Sequence, residues 1–116
     1  MAGCGTGILS LFCASAGAKK VISIECSNIA SWAQEIFEIN GAKNIVLMKG
    51  RLEELQITEK VDIIVSEWMG YFLLYESMFD SVIEARDKYL KPDGMVILYY
   101  EYSFYYYYLL LYYEYS

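Results

Sequence analysis

The chain has 116 residues, enough for one core of ordinary size and no more. Apolar residues make up 57% and charged residues 21%, which excludes a chain too polar to bury a core. Fifteen acidic side chains against nine basic ones give a formal charge of −6 with no histidine. That balance argues against nucleic-acid binding by bulk charge and fits a basic partner. The lack of histidine removes every triad or metal site that needs imidazole. Cys4, Cys13 and Cys26 stand at spacings that match no zinc pattern, so no metal is expected and they read as reduced thiols of a cytoplasmic or nuclear protein.

In chain order, Gly7 opens an apolar run to Ala16 without alternation, closed by Gly17, which reads as a buried helix. No basic stretch precedes this run, so it is not expected to be a signal peptide. Val21-Ile-Ser-Ile-Glu25 is a short β-branched run suited to a parallel strand. Ser27 or Asn28 can cap a helix that carries Ile29, Trp32, Ala33, Ile36 and Ile39 and is stopped by Asn40-Gly41. Strands are predicted over residues 44–48 and 61–65, and a helix over about 76–90. Lys91-Pro92-Asp93-Gly94 then turns the chain into a strand over 95–98. Strands alternating with helices at this spacing predict an α/β fold with a parallel sheet covered on both faces. Ligands of such sheets lie at the carboxyl ends of the strands.

Two motifs fall at such ends. Gly3-Cys-Gly5-Thr-Gly7 leads directly into a helix, where glycines permit close backbone approach and the helix N-terminus offers free N–H groups. Alone it is compatible with an ordinary tight turn. Glu25, 18 residues beyond Gly7 at the end of the next strand, is placed to accept hydrogen bonds from the two hydroxyls of a ribose. The G-x-G-x-G spacing favours an adenosyl ligand over a dinucleotide. The second motif spans residues 66–78, Ser-Glu-Trp-Met-Gly-Tyr-Phe-Leu-Leu-Tyr-Glu-Ser-Met, with Glu67 after a strand and Glu76 opening a helix. One reading makes Glu67 a surface acid and Glu76 a partner of the helix dipole. The other has the apolar and aromatic segment shelter both carboxylates, which then hold a flat cation such as a guanidinium.

Taken with Ile24-Glu25-Cys26-Ser27, Gly50-Arg51-Leu52-Glu53-Glu54 and Leu90-Lys-Pro-Asp-Gly94, these motifs make residues 3–98 resemble the protein arginine N-methyltransferases of the type that forms asymmetric dimethylarginine. The Glu-Trp-Met-Gly-Tyr…Tyr-Glu-Ser-Met loop is the specific element, whereas the glycine motif also fits the wider S-adenosylmethionine-dependent methyltransferases. The resemblance implies a Rossmann-like methyltransferase core. In it, Gly3, Gly5, Thr6 and Gly7 lie beside the methionine part of S-adenosylmethionine, Glu25 binds the ribose and Cys26 lies against the adenosine. The Leu52 backbone and the Glu53 carboxylate read the adenine edge. Glu67 and Glu76 grip the substrate guanidinium as catalytic residues, and Met69, Tyr71 and Met78 line the substrate pocket, although methionine is also a common core filler. The partners implied are basic, arginine-containing and especially Arg-Gly-rich proteins, with no direct nucleic-acid or membrane role.

The resemblance has limits. Met1 stands where the family's first, central strand ends in an acid, and the family continues past residue 98 into a β-barrel with a histidine-containing loop and a dimerisation arm. The expectation is therefore a truncated core over residues 1–98, without the first strand and the barrel. A Tyr-rich tail over 99–116 holds ten of the 13 tyrosines and matches nothing in the family. For this tail a translated artefact, an element covering an open sheet edge and a membrane segment stay open, the last opposed by Glu101 within the apolar window. Two alternatives to the enzyme remain. One is an inactive chain that at most binds S-adenosylmethionine or acts through protein contacts. The other is a small-molecule methyltransferase.

Overall fold

The computed structural model describes residues 1–67 and 78–98; the expectations for the Tyr-rich tail lie outside the described residues. Seven elements follow one another: α1 (Ile8–Ser15), β1 (Val21–Glu25), α2 (Ala30–Ile39), β2 (Ile45–Lys49), β3 (Val61–Ser66), α3 (Met78–Tyr89) and β4 (Leu90–Leu98). They fall into two compact units, Met1–Gln56 and the part from Ile57 on. None of the described helices is long and apolar enough to cross a membrane.

In the first unit β1 and β2 pair in parallel from Val21↔Ile45 to Glu25↔Lys49. A parallel pair needs a crossover, and α2 supplies it. Residues 1–4 run beside β1 on the position where the resemblance leaves no strand. There Ala2 bridges Ile24, the Ile24 N–H donates to the Met1 carbonyl at 2.9 Å and the Cys4 N–H to the Ile24 carbonyl at 2.9 Å. The glycine motif is thereby tied to the end of β1. One polar pair fastens α1 to the same strand: the Ser23 hydroxyl donates to Ser10 Oγ at 2.8 Å, both side chains fully buried. The bond gives the Ser23 hydroxyl an acceptor and Ser10 Oγ a donor, which offsets part of the cost of removing them from water.

The core of this unit is Cys4, Ala33 and Phe37, with Leu11, Ala42, Ile45 and Leu47 packed against it. This corrects the expected apolar face of α2. Its buried residues are Ala30, Ala33 and Phe37, whereas Trp32 is 65% and Ile39 76% exposed. Small side chains at Ala30 and Ala33 let the helix approach the sheet closely, and Phe37 reaches the glycine motif. Its ring occupies the space beside Gly7, where an added Cβ would lie 2.3 Å from Phe37 Cε1.

In the second unit β3 and β4 are parallel, with Val61 opposite Leu90 and then Ile63 opposite Met95 through to Ser66 opposite Leu98. Two steps along β3 thus answer five along β4, so three extra residues bulge from the ladder. The expected turn at Lys91-Pro92-Asp93-Gly94 is therefore a bulge within β4, and α3 ends at Tyr89 and passes directly into the strand. Pro92 has no N–H to give to a ladder, which favours this place for the bulge. Lys91 Nζ bonds Asp62 Oδ1 at 2.6 Å across the bulge, and α3 buries Val82 and Ala85.

The Gly7–Phe37 contact has a measurable consequence. Alanine at position 5 meets nothing within 4 Å but adopts φ +54°, which costs roughly 1–2 kcal/mol for an L residue. Alanine at position 7 has a φ of +94° and also displaces Phe37, adding about 1–3 kcal/mol of overpacking. Urea unfolding is expected to rank Gly7→Ala clearly below Gly5→Ala in stability. Equal midpoints would show that the ring does not rest on Gly7.

Candidate functional site

The glycine motif closes on itself before the helix begins. Gly3, Gly5 and Gly7 all have positive φ, and the Gly7 N–H donates to the Cys4 carbonyl at 2.9 Å. Gly7 is the N-cap of α1, which has no side-chain cap and no acid in its first turn. Its leading N–H groups and the positive end of its dipole are thus offered to a ligand. Thr6 is exposed at this end, while Gly3 and Gly5 are half-buried.

Glu25 terminates β1 with 9% of its surface exposed. Its Oε2 accepts the Gly5 N–H at 2.9 Å and its Oε1 accepts the Ser27 N–H at 3.0 Å. Its main-chain carbonyl accepts the Gly50 N–H at 3.0 Å, which draws in the turn after β2. Burial pushes the Glu25 carboxyl upward. The N–H groups of Ser27 and Gly5, with the Ser27 hydroxyl and the Cys26 N–H, outweigh it and hold the group below its ordinary value of 4.5. The side chain is therefore an ionised acceptor at neutral pH.

The turn opened by Gly50 is closed by Glu54 N–H donating to the Arg51 carbonyl at 3.0 Å, with Leu52 buried and Glu53 exposed. Cys26 is exposed beside Glu25. Residues 3–7, Glu25 with Cys26, and the 50–54 turn are thus held together by bonds that converge on Glu25. Lys49 Nζ adds a bond to Asn28 Oδ1 at 3.3 Å across the same strand ends. Such a set, an ionised acceptor beside open N–H donors, suits an adenosyl ligand. Cys4 differs from its neighbours. Burial and the Glu25 charge push its thiol up to about 11, so it is a protonated core residue and no nucleophile.

Sequence reasoning missed two participants, the backbone N–H groups of Ser27 and Gly50. Ser27 is expected only as a helix cap, and its Oγ does accept the Ile29 N–H at 3.3 Å. Its N–H, however, anchors Glu25. The spacing Glu25-Cys-Ser27, an acid two residues before a turn, was the available signal.

In the second unit Glu67 follows the buried Ser66 at the carboxyl end of β3, and Met78 opens α3, half-buried. Glu67 is exposed, and the aromatic residues invoked to shelter it fall within 68–77, outside the described residues. Met69, Tyr71 and Glu76 lie outside the described residues too. Among the described residues no group of three or more His, Cys, Asp or Glu is placed to hold a metal ion.

The depressed Glu25 carboxyl predicts a pH dependence. A folded-state value below the unfolded one contributes stability that is present above about pH 4.5 and is lost as pH falls through the folded value. The stability difference between the parent and Glu25→Gln, measured by urea unfolding, is expected to be largest near neutrality and to shrink steadily below pH 4.5. A difference independent of pH would show that the carboxylate is not charged where it stands.

Comparison with known proteins agrees with this geometry. The family model described as a methyltransferase domain matches residues 1–94. The probable protein arginine N-methyltransferase 6 of Arabidopsis thaliana is 55% identical over 96 residues, covering 82% of this chain and 22% of its own length. Protein arginine N-methyltransferase 1 of Schizosaccharomyces pombe is 60% identical over 96 residues, covering 81% of this chain and 28% of its own. Among solved structures, the Trypanosoma brucei protein arginine methyltransferase 1 enzyme–prozyme heterotetramer, determined with S-adenosylhomocysteine, superposes with a TM-score of 0.77 at 57% identity. It covers 81% of this chain and 30% of that one. The chain thus spans about a quarter of the length of the curated relatives it matches. With its Rossmann-like α/β fold and its matching motifs, the chain belongs to the methyltransferase domain family and, within it, is similar to the protein arginine N-methyltransferases.

Proposed function

We propose that this chain serves S-adenosylmethionine-dependent methylation of arginine side chains in basic, Arg-Gly-rich proteins, with asymmetric dimethylarginine as the product. Cytoplasm or nucleus is the compartment that goes with its reduced cysteines. The observation that carries the reading is the ionised Glu25 carboxylate, fixed between the glycine loop and the end of β1. It supports an adenosyl site because a ribose diol needs an acceptor there and the methionine end needs the open N–H groups of α1. The relatives' names support arginine as the methyl acceptor.

When bound, S-adenosylmethionine supplies a methyl group on a sulfonium. The chain's own residues prepare the acceptor. A guanidinium has a pKa above about 12 and nitrogens whose lone pairs are delocalised, so it is a poor nucleophile. In this reading Glu67 and Glu76 accept its N–H groups, concentrate positive charge on two nitrogens and turn the third towards the methyl donor. Their contribution is positioning and electrostatics. Met69, Tyr71 and Met78 shape the pocket around them. Gly3, Gly5, Thr6 and Gly7 line the methionine end, Cys26 and Glu53 the adenosine.

Two measurements test this. Glu76→Gln is expected to abolish methyl transfer to an Arg-Gly-rich peptide while S-adenosylmethionine affinity changes less than about threefold; retention of most of the turnover refutes the role. Binding without transfer by the parent favours the inactive reading, and transfer only to a small amine favours the small-molecule enzyme. Independently of turnover, S-adenosylhomocysteine is expected to slow alkylation of the exposed Cys26 and to leave that of Cys13 unchanged. Equal slowing of both thiols, or of neither, counts against the adenosine contact.

A further inference from the structure

The glycine loop poses a question that its sequence does not answer. Gly5 has φ +54° and no heavy atom within 4 Å of where a Cβ would stand, so no neighbour braces it on that side. Its two ends are tied, by the Cys4 N–H to the Ile24 carbonyl at 2.9 Å and by Phe37 against Gly7. The tie at the middle is the Gly5 N–H donated to Glu25 Oε2 at 2.9 Å. The acceptor is itself immobilised, since its other oxygen receives the Ser27 N–H at 3.0 Å and its main-chain carbonyl the Gly50 N–H at 3.0 Å. A charged acceptor makes the stronger kind of hydrogen bond, and in a nearly buried place it is little screened.

We propose that Glu25 is a positioning residue for the glycine loop: in the free chain its carboxylate holds the Gly5 N–H and so fixes the left-handed turn that presents the N-terminus of α1. This rests on the adenosyl-site reading and adds to it. Glu25 acts on a ligand twice, directly through the diol and indirectly through the loop. The two roles are compatible, because the Gly5 and Ser27 backbone bonds can persist while the Ser27 hydroxyl, which can rotate, yields its place on the carboxylate to a ribose hydroxyl. Ligand binding then exchanges one donor of the carboxylate's shell without dismantling the loop.

The two roles separate with a ligand that lacks the diol. In Glu25→Ala the affinity for a 2′,3′-dideoxy analogue of S-adenosylhomocysteine is expected to fall about tenfold, although that ligand has no hydroxyls for Glu25 to hold. In the ligand-free protein, amide exchange at Gly5 is expected to accelerate at least about tenfold in Glu25→Ala. The Ile24 amide, bonded within the same unit, should stay within about twofold, a selectivity that general destabilisation would not produce. Glu25→Gln keeps one carbonyl acceptor and should give an intermediate rate at Gly5. Unchanged exchange at Gly5, or undiminished binding of the dideoxy analogue, overturns the proposal. If Glu25→Ala does not fold, the glutamine variant decides by the same exchange criterion. A parent that binds no adenosyl ligand at all sinks the methyltransferase reading, while the exchange at Gly5 still settles the loop's restraint.

Discussion

A nearly buried carboxylate needs donors, and loops that leave a parallel ladder carry N–H groups that need acceptors. Glu25 is where these two demands cancel. An ionised carboxylate removed from water without partners costs several kcal/mol, and a buried backbone N–H without an acceptor is rarely tolerated. Gly5 and Ser27 each sit outside the ladders and donate to the Glu25 carboxylate, while Gly50 donates to its main-chain carbonyl. The turn at Gly5 and the one at Ser27 are therefore ordered by one charge that both backbone donors share.

That charge would be of small use if the loop before α1 could drift as a whole, and Phe37 prevents this from below. Ala30 and Ala33 bring α2 close to the sheet, which places the Phe37 ring against Gly7. The buried Ser10–Ser23 pair holds the first part of α1 to β1. Core packing thus sets where α1 starts, and Glu25 sets how the residues ahead of it are turned. A substitution at Phe37 is consequently as relevant to the site as one in the loop.

These dependencies explain what was legible in the sequence. β1 is read to the residue, Val21–Glu25, because a β-branched run ends on an acid and is bounded by lysines and a helix cap. The acid at its end could be singled out because its chemistry is peculiar to its side chain. The donors that anchor it could not, since every residue but proline has an N–H and only the fold decides which ones converge. Two apolar stripes overlap at Ala33 along α2, Ile29-Trp32-Ala33-Ile36-Ile39 and Ala30-Ala33-Phe37, and periodicity alone favours the bulkier one. The sheet selects the smaller residues because close approach needs them, and Trp32 and Ile39 are left outside. The bulge in β4 was hidden for a related reason. Lys-Pro-Asp-Gly reads as a turn wherever it occurs, and only the pairing of Val61 with Leu90 shows strand on both sides of it. The Glu67 to Glu76 loop owed its specific meaning to family resemblance, because spacing alone also allowed a surface acid at Glu67 with a helix-dipole partner at Glu76.

The net charge of −6 takes on a finer meaning in this light. Glu25 is the one buried acid among the described residues. Asp62, Glu84 and Asp87 stand in surface pairs with Lys91, Lys88 and Arg86, and Glu38 accepts from Gln34. Exposed pairs of this kind contribute about 0–1 kcal/mol each and are screened over about 8 Å at physiological salt. They bear on solubility. Glu25 acts by contact, at distances where screening has no room to operate. Changing the bulk charge by surface substitution should therefore leave the geometry around Glu25 untouched, because the net charge and the loop order reside in different carboxylates.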